Sequence, residues 1–153
     1  MLVLAPITRD NLPDALGVRL TPAESHRVAP AALMLAKCHD RPGAQVWHPF
    51  LIAERGDPVG IVAVSVDRHD TLGGAQSAWV HNLLIRAEAQ GRGLGRAAVA
   101  SILDWLACEH PTVRRVGLNV RAENDAAFAL YSFFGFGDVG RTRDGRTIML
   151  LEV

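Results

Sequence analysis

A glycine-rich loop in the second half of the chain constrains the fold most. Gly91, Gly93 and Gly95 alternate with Arg92 and Leu94, after an apolar strand-like segment and before an apolar-periodic helix. A helix N-terminus presents unpaired backbone N–H groups and a positive dipole, and glycines let phosphate oxygens approach the backbone closely. The loop therefore predicts a strand–loop–helix unit that binds an anion. The alternative is a tight turn with incidental glycines.

Two common phosphate-binding motifs do not fit this loop. A Walker A loop ends in Gly-Lys-Ser/Thr, which the chain lacks, and a dinucleotide-binding GxGxxG motif would need glycine at the position of Arg96. We therefore favour another class of anionic ligand, with Arg92 and Arg96 adding positive charge beside the loop. A nucleotide-phosphate binder that uses the same loop is a disfavoured alternative.

Hydrophobic periodicity predicts strands and helices on both sides of the loop. The predicted strands are Leu2–Thr8, Trp47–Arg55, Val59–Val66, Ala78–Arg86, Val113–Arg121 and a pair flanking Asp144-Gly145. The predicted helices start at Asp10, start at Thr21–Glu24, cover Ala31–Cys38, run from the loop to about Cys108, and cover Asn124–Phe134. Turns are predicted at Gly56-Asp57-Pro58 and at Leu72-Gly73-Gly74, so that the three strands around them form an antiparallel meander.

Composition limits the class of protein. The 153 residues are 49% hydrophobic, which suits a single domain over residues 1–153 with its own core. Sixteen basic and sixteen acidic residues balance, so neither a nucleic acid nor an anionic membrane is an expected partner. No apolar run approaches the ~20 residues of a membrane span, and the N-terminus lacks the features of a secretory signal.

The cysteines and histidines point to neither a disulfide nor a metal. Cys38 and Cys108 lie far apart, with no CxxC motif, so we expect buried thiols in a reducing cytoplasm. The histidines outside the strands show no metal-ligand spacing, so no metal is expected.

Two spaced motifs resemble those of the GNAT N-acetyltransferase superfamily. Gln90-x-x-Gly93-x-Gly95 is similar to the family's acyl-CoA signature, and Leu83 and Ile85 fall where the family has a Leu-x-Val pair shortly before it. A second segment is similar to the family's second CoA motif: Asn124-x-x-Ala127-x-x-x-Tyr131-x-x-x-Gly135-Phe136.

A weaker resemblance is to the diamine/spermidine acetyltransferase branch. It is based on Leu20–Glu24, on Pro49–Gly60 and on Trp79, which lies two residues before His81. That branch commonly has an acidic residue where His81 stands and a basic one where Asn82 stands.

The resemblance implies a fold and an activity. The fold is a single α/β (α+β) GNAT-like domain with a mixed, mostly antiparallel sheet of about six or seven strands and about four helices. In the family a bulge in the strand at Leu83–Ile85 splays two strands apart at the acyl-CoA site. The implied activity is transfer of acetyl from acetyl-CoA to a primary amine of a small molecule, by direct attack in a ternary complex. Alternatives are acetylation of a protein N-terminus or lysine, and a non-catalytic acyl-CoA-binding regulatory protein.

The resemblance also implies site residues. The acyl-CoA contacts would be Leu83, Leu84, Ile85, Gln90, Gly91, Arg92, Gly93, Leu94, Gly95, Arg96, Asn124, Ala127 and Tyr131. Tyr131 would face the departing thiolate, the alternative being a core aromatic residue. Asn124 would bond the pantetheine arm, cap its helix, or do both. A backbone N–H near Leu84 or Ile85 would stabilise the oxyanion.

The general base and the acceptor side are less defined by sequence. His81 is the first candidate for the base, the alternative being a structural histidine, and Glu54, Asp67 and Glu88 are lesser candidates. Trp47 and Trp79 are expected in the core rather than in an acceptor pocket. A homodimer is expected only because two-fold dimers are the commonest oligomers.

Overall fold

The computed structural model describes residues 1–19, 31–39, 43–67 and 76–153. Over these residues the chain forms a seven-stranded sheet in the order β1-β2-β3-β4-β5-β7-β6. The strands are β1 (Leu2–Pro6), β2 (Gln45–Glu54), β3 (Asp57–Asp67), β4 (Gln76–Ile85), β5 (Val113–Val120), β6 (Gly137–Arg141) and β7 (Thr147–Glu152). The helices are α1 (Leu12–Gly17), α2 (Ala31–His39), α3 (Leu94–Glu109) and α4 (Asp125–Phe133).

The predicted fold class is confirmed. β2, β3 and β4 form the expected antiparallel meander, and among the strands of the described residues only β4 and β5 pair in parallel. The helix start at Thr21–Glu24 and the chain break at Leu72–Gly74 lie outside the described residues. Among the described helices, none combines the length and the apolarity that crossing a membrane would need.

The prediction is wrong at the β2–β3 turn and at the cysteines. The β2–β3 turn consists of Arg55 and Gly56, with φ of 53° and 87°, so Asp57 and Pro58 belong to β3. A two-residue hairpin turn with both φ values positive matches the twist of the strands, and Pro58 lies at a register shift where a missing N–H is tolerated. Neither cysteine is fully buried, because Cys38 is only partly buried and Cys108 is exposed in the last turn of α3.

The sheet carries a helical layer on each face. α3 and α4 pack on one face, where the core includes Val62, Val64 and Ile102. α1 and α2 pack on the other face around Met34 and Ile61. β3 is buried along most of its length because it lies between the two layers.

β4 contains a bulge that reverses its side-chain alternation. Ala63 pairs with His81, but Ile61 pairs with Leu84, so two residues of β4 oppose one residue of β3. Asn82, within the bulge, has a positive φ of 53°. Before the bulge the even-numbered residues of β4 face α3, and after it the odd-numbered residues do.

An aromatic cluster joins β2 to the end of α3. The ring of Trp105 lies 5.0 Å from that of His48, 4.9 Å from that of Phe50 and 4.8 Å from that of His110. The Nε2 atom of His48 is buried without a hydrogen-bond partner. Burial, and secondarily the neighbouring His110, lower the pKa of His48 from its ordinary value of 6.5.

This lowered pKa predicts acid sensitivity. The unfolded chain takes up the His48 proton below about pH 6.5, whereas the folded chain takes it up only at lower pH. The free energy of unfolding should therefore fall as pH drops below 6.5, and His48→Gln should reduce that fall in urea titrations between pH 7.5 and 5. His39→Gln, on the exposed end of α2, is the matched control. Equal pH dependence in both variants and the wild type would contradict the assignment.

Candidate active site

A cleft opens where β4 and β5 separate. The two strands pair only from Gln76–Trp79 to Val113–Gly117, although β4 continues to Ile85 and β5 to Val120. The cleft has a volume of about 250 Å³. Its lining comes from the end of β4, the glycine loop and α4: Leu83, Leu84, Ile85, Ala89, Gln90, Gly91, Gly93, Leu94, Gly95, Asn124, Ala126, Ala127, Leu130 and Tyr131.

The structure brings together most of the residues singled out by sequence. Every predicted acyl-CoA residue except Arg92 and Arg96 lines the cleft. Sequence reasoning missed Ala89, Ala126 and Leu130. Leu130 follows Ala127 by three residues and Ala126 by four, so helical periodicity could have placed these residues on the same face of α4.

The glycine loop leaves the first turn of α3 accessible. Gly91 and Gly93 have φ of 75° and 78°, which favours glycine, and Gly93 caps α3 without a side-chain hydrogen bond. The first turn of α3 holds no acidic residue. The Gln90 side chain turns back, and its Nε2 donates to the carbonyl oxygen of Ile85 over 3.0 Å. The loop is therefore fixed to β4 while the helix N-terminus stays open to an anion.

Arg92 of the loop and Arg96 of the first turn of α3 each contact another side chain. The Arg92 guanidinium lies 2.7 Å from Oε2 of Glu54, at the end of β2. The Arg96 guanidinium lies 3.9 Å from the centre of the Phe133 ring on α4. Glu54, a lesser candidate for the general base, is thus held in an ion pair with Arg92 of the loop.

Tyr131 is both a core and a cleft residue. It belongs to the core between the sheet and α3, its ring lies 5.6 Å from that of Phe136, and it lines the cleft. Burial raises the pKa of the Tyr131 hydroxyl well above its ordinary value of 10.0. The hydroxyl therefore stays protonated near neutral pH and can act as a hydrogen-bond donor.

His81 lies apart from the cleft lining, on the face of the sheet that carries α1 and α2. Its partner in β3 is Ala63, which packs with those helices. Its Nε2 is 2.9 Å from Oγ of Ser65, and its ring stacks on Trp47 at 4.2 Å between centroids. Ser65 is fully buried and was missed by sequence reasoning, although a serine within a valine-rich strand is a detectable signal.

The tryptophans expected in the core are only half-buried. Trp47 covers the His81 ring. Trp79 lies over Gly117, where an added Cβ would be 2.8 Å from its Cζ3 atom. Because Trp79 and Gly117 form the last pair between β4 and β5, this contact lies where the pairing of the two strands ends.

The other candidate residues have structural partners or open surroundings. Asp67 accepts hydrogen bonds from the Gln45 side chain over 3.0 Å and from the Ser77 backbone over 3.3 Å. Glu88 is exposed. The Oδ1 atom of Asn124 accepts from the Ala127 N–H over 3.2 Å, so Asn124 caps α4 at the edge of the cleft. Within the described ranges, no group of three or more His, Cys, Asp or Glu is placed to hold a metal ion.

Comparison with known proteins agrees with this geometry. The model of the Acetyltransferase (GNAT) family matches residues 12–136. Mycothiol acetyltransferase of Rothia mucilaginosa is 32% identical over 127 residues, covering 75% of this chain and 36% of that protein. N-alpha-acetyltransferase RimI of Mycobacterium tuberculosis is 41% identical over 64 residues, covering 42% and 37%. An aminoglycoside acetyltransferase solved with coenzyme A and kanamycin superposes with a TM-score of 0.71 at 20% identity, covering 99% and 95%.

The seven-stranded sheet, which splays beyond Trp79, has the fold of that acetyltransferase. The chain belongs to the Acetyltransferase (GNAT) family. It matches little more than a third of the length of these curated relatives, 36% of one and 37% of the other.

Proposed function

We propose that the chain transfers the acetyl group of acetyl-CoA to a primary amine of a small molecule. The observation that carries this proposal is the cleft beyond the last β4–β5 pair, which is lined by the end of β4, the glycine loop and α4 and connects the N-terminus of α3 to Tyr131. The likeness to an aminoglycoside acetyltransferase solved with coenzyme A supports the donor, and the likeness to a mycothiol acetyltransferase supports a small-molecule acceptor.

Acetyl-CoA suits the residues of the cleft. The N–H groups at Gly91–Gly95 can bind the pyrophosphate, because positive φ values expose the backbone there and the first turn of α3 holds no acidic side chain. The pantetheine arm carries two amides and can pair with the free edge of β4 beyond Trp79. Apolar side chains such as Leu83 and Leu130 can cover its aliphatic part.

The proposed reaction is a direct acyl transfer. The neutral amine nitrogen attacks the thioester carbonyl carbon, and a backbone N–H near Leu84 or Ile85 stabilises the oxyanion of the tetrahedral intermediate. The C–S bond then breaks, the nitrogen loses a proton, and the thiolate gains one. The products are an N-acetyl amide and free CoA thiol.

Tyr131 is the proposed donor to the departing sulfur. Its raised pKa makes full proton release to the thiolate unfavourable, since an ordinary thiol has a pKa of about 8.5. A hydrogen bond from the protonated hydroxyl still stabilises the charge that develops on sulfur. Burial of the CoA sulfur would raise the pKa of its thiol and so narrow the difference between that pKa and the pKa of Tyr131.

His81 is the proposed base for the amine. The separation of β4 from β5 opens the sheet beyond Trp79, so an acceptor on the face of α1 and α2 can reach an acyl group held in the cleft. His81 lies on that face, two residues before the cleft lining begins at Leu83. The Ser65 hydroxyl and the Trp47 ring would orient its imidazole.

Acetylation of a protein N-terminus is the second candidate function. It is supported by the 41% identity to N-alpha-acetyltransferase RimI over 64 residues. The two candidates differ only in the acceptor, so one assay separates them.

Release of CoA thiol tests the proposal. Acetyl-CoA would be combined with polyamines, aminoglycosides, amino acids, arylalkylamines and peptides with free N-termini. We expect turnover with one class of small amine, and Tyr131→Phe should lower kcat about 100-fold while leaving the Kd for acetyl-CoA unchanged.

Ser132→Ala, which removes an exposed hydroxyl from the next residue of α4, is the matched control. Turnover only with peptides would select the second candidate. Binding of acetyl-CoA without turnover of any amine would favour the non-catalytic alternative. An unchanged kcat in Tyr131→Phe would remove Tyr131 from the mechanism.

The role of His81 predicts a particular pH dependence. His81→Gln should lower kcat/KM most near neutral pH, and the loss should shrink as the pH approaches ~10, where a lysine-like amine is already neutral. Ser65→Ala should lower kcat/KM less, with the same pH trend, because it keeps the His81 imidazole and removes only the hydroxyl that orients it. A loss of the same size at every pH, or none relative to His39→Gln, would contradict base catalysis by His81.

A further inference from the structure

A second cavity lies at the opposite end of α3 from the glycine loop. It has a volume of about 420 Å³, and among the described residues it shares no lining residue with the cleft. Because α3 is 16 residues long, about 24 Å separate its two ends. The rings in the lining come from β2, from α3 and from the residue after α3: Trp47, His48, Phe50, Trp105 and His110.

The end of α3 carries an uncompensated negative charge beside these rings. Glu109 is the last residue of α3 and lines the cavity. The C-terminus of a helix is the negative end of its dipole, so a cation is favoured there and a carboxylate is not. The last turn of α3 nevertheless holds no basic residue, and within the part of the chain that the structure describes Glu109 has no ion pair. The charge at the cavity therefore suits a positively charged ligand.

The rings of the cavity also favour a cation. The face of an aromatic ring attracts a cation electrostatically, and an indole does so most strongly. Trp105 is only half-buried, and it contacts His48 and Phe50 edge to face. Burial lowers the pKa of His48 from its ordinary value of 6.5, so this imidazole does not oppose a cation at neutral pH.

The cavity offers few hydrogen-bond acceptors to such a cation. Among the described side chains of the lining, only Glu109 and the two imidazoles contain acceptor atoms, and Nε2 of His48 is buried. The carbonyl oxygen of Pro49 already accepts from the Ile7 N–H over 3.0 Å. A primary ammonium group needs acceptors for three N–H donors, whereas a fully alkylated ammonium group needs none. The lining therefore fits an alkylated cation better than a primary amine.

We propose that this cavity binds a small quaternary ammonium cation, with the Trp105 indole against its alkyl groups and the Glu109 carboxylate balancing its charge. A quaternary nitrogen has no N–H, so this ligand is not the amine acceptor of the acetyl transfer. The site is independent of the proposed function, since it lies at the other end of α3 from the cleft.

A charged ligand and its neutral counterpart test the proposal. Choline and 3,3-dimethylbutan-1-ol have nearly the same shape, but only choline carries a positive nitrogen. Each is titrated into the protein at pH 8, and its Kd is measured from the NMR shifts of the backbone amides of residues 105–110. We expect choline to bind about 10-fold more tightly than the alcohol. Glu109→Gln should raise the Kd for choline about threefold and leave the Kd for the alcohol unchanged.

Asp104→Asn is the matched control, because it removes the same charge from an exposed residue of α3 outside the cavity lining, and it should change neither Kd. Trp105→Leu should reduce the difference between the two ligands, whereas Trp105→Phe should keep part of it, because a phenyl ring also attracts a cation.

Three results would overturn the proposal. They are equal Kd values for choline and the alcohol, no shift at residues 105–110 at the highest choline concentration, and equal losses in Glu109→Gln and Asp104→Asn. None of these measurements involves acetyl-CoA or an amine acceptor. A protein that acetylates no amine but binds choline here would refute the proposed function only, and an active acetyltransferase that ignores choline would refute this inference only.

Discussion

The site depends on a single extra residue in β4. The bulge at Asn82 shifts the pairing between β3 and β4 and exchanges the faces of the residues that follow. Leu83 and Ile85 are thereby turned toward the core beneath α3, while His81 stays on the face of α1 and α2. Without the extra residue, Leu83 and Ile85 would lie on the same face of the sheet as His81.

Glycines in β3 and β5 allow the close packing around the end of β4. A Cβ on Gly60 would lie 2.4 Å from the carbonyl oxygen of Leu84, so β3 can approach the end of β4 only with glycine there. Gly117 similarly makes room for the Trp79 ring at the last pair between β4 and β5. Close packing of β3 on β4 at Gly60, and of Trp79 on Gly117, therefore sets the position at which β4 and β5 separate.

The contacts of Arg92 and Arg96 beside the glycine loop are weak enough for both side chains to exchange their present partners for a phosphate. The Arg92–Glu54 ion pair is solvent-accessible, with side-chain exposures of 52% and 24%. Such pairs contribute only about 0–1 kcal/mol, so Arg92 can leave Glu54 for a phosphate at little cost. The same holds for Arg96, whose exposed contact with Phe133 is worth about 0.5–1 kcal/mol. The backbone of the loop is fixed, while the side chains of Arg92 and Arg96 can turn to a new partner.

Much of the fold was predictable because the signals are local. The glycine loop, the apolar face of α4 and the Asn124 cap are each encoded within a few residues, and the structure has them where the motifs indicate. The turn at Arg55-Gly56 was misplaced because Asp57 and Pro58 are themselves typical turn residues. The Ser65–His81 contact joins residues sixteen positions apart, and the half-buried state of Trp47 depends on stacking across strands. Neither of these two features can be predicted from a local sequence pattern, and the residues of the acceptor side form no motif of their own.

Amide hydrogen exchange with and without acetyl-CoA tests the central claim most directly, namely that the separation of β4 and β5 holds the acyl donor. Binding should slow exchange at Gly91–Ala97 and at Leu83–Ile85, because these N–H groups would gain partners or lose access to water. The aromatic cluster of His48, Phe50, Trp105 and His110 should be unaffected. Protection at that cluster with none at the loop, or no protection at saturating acetyl-CoA, would contradict the account.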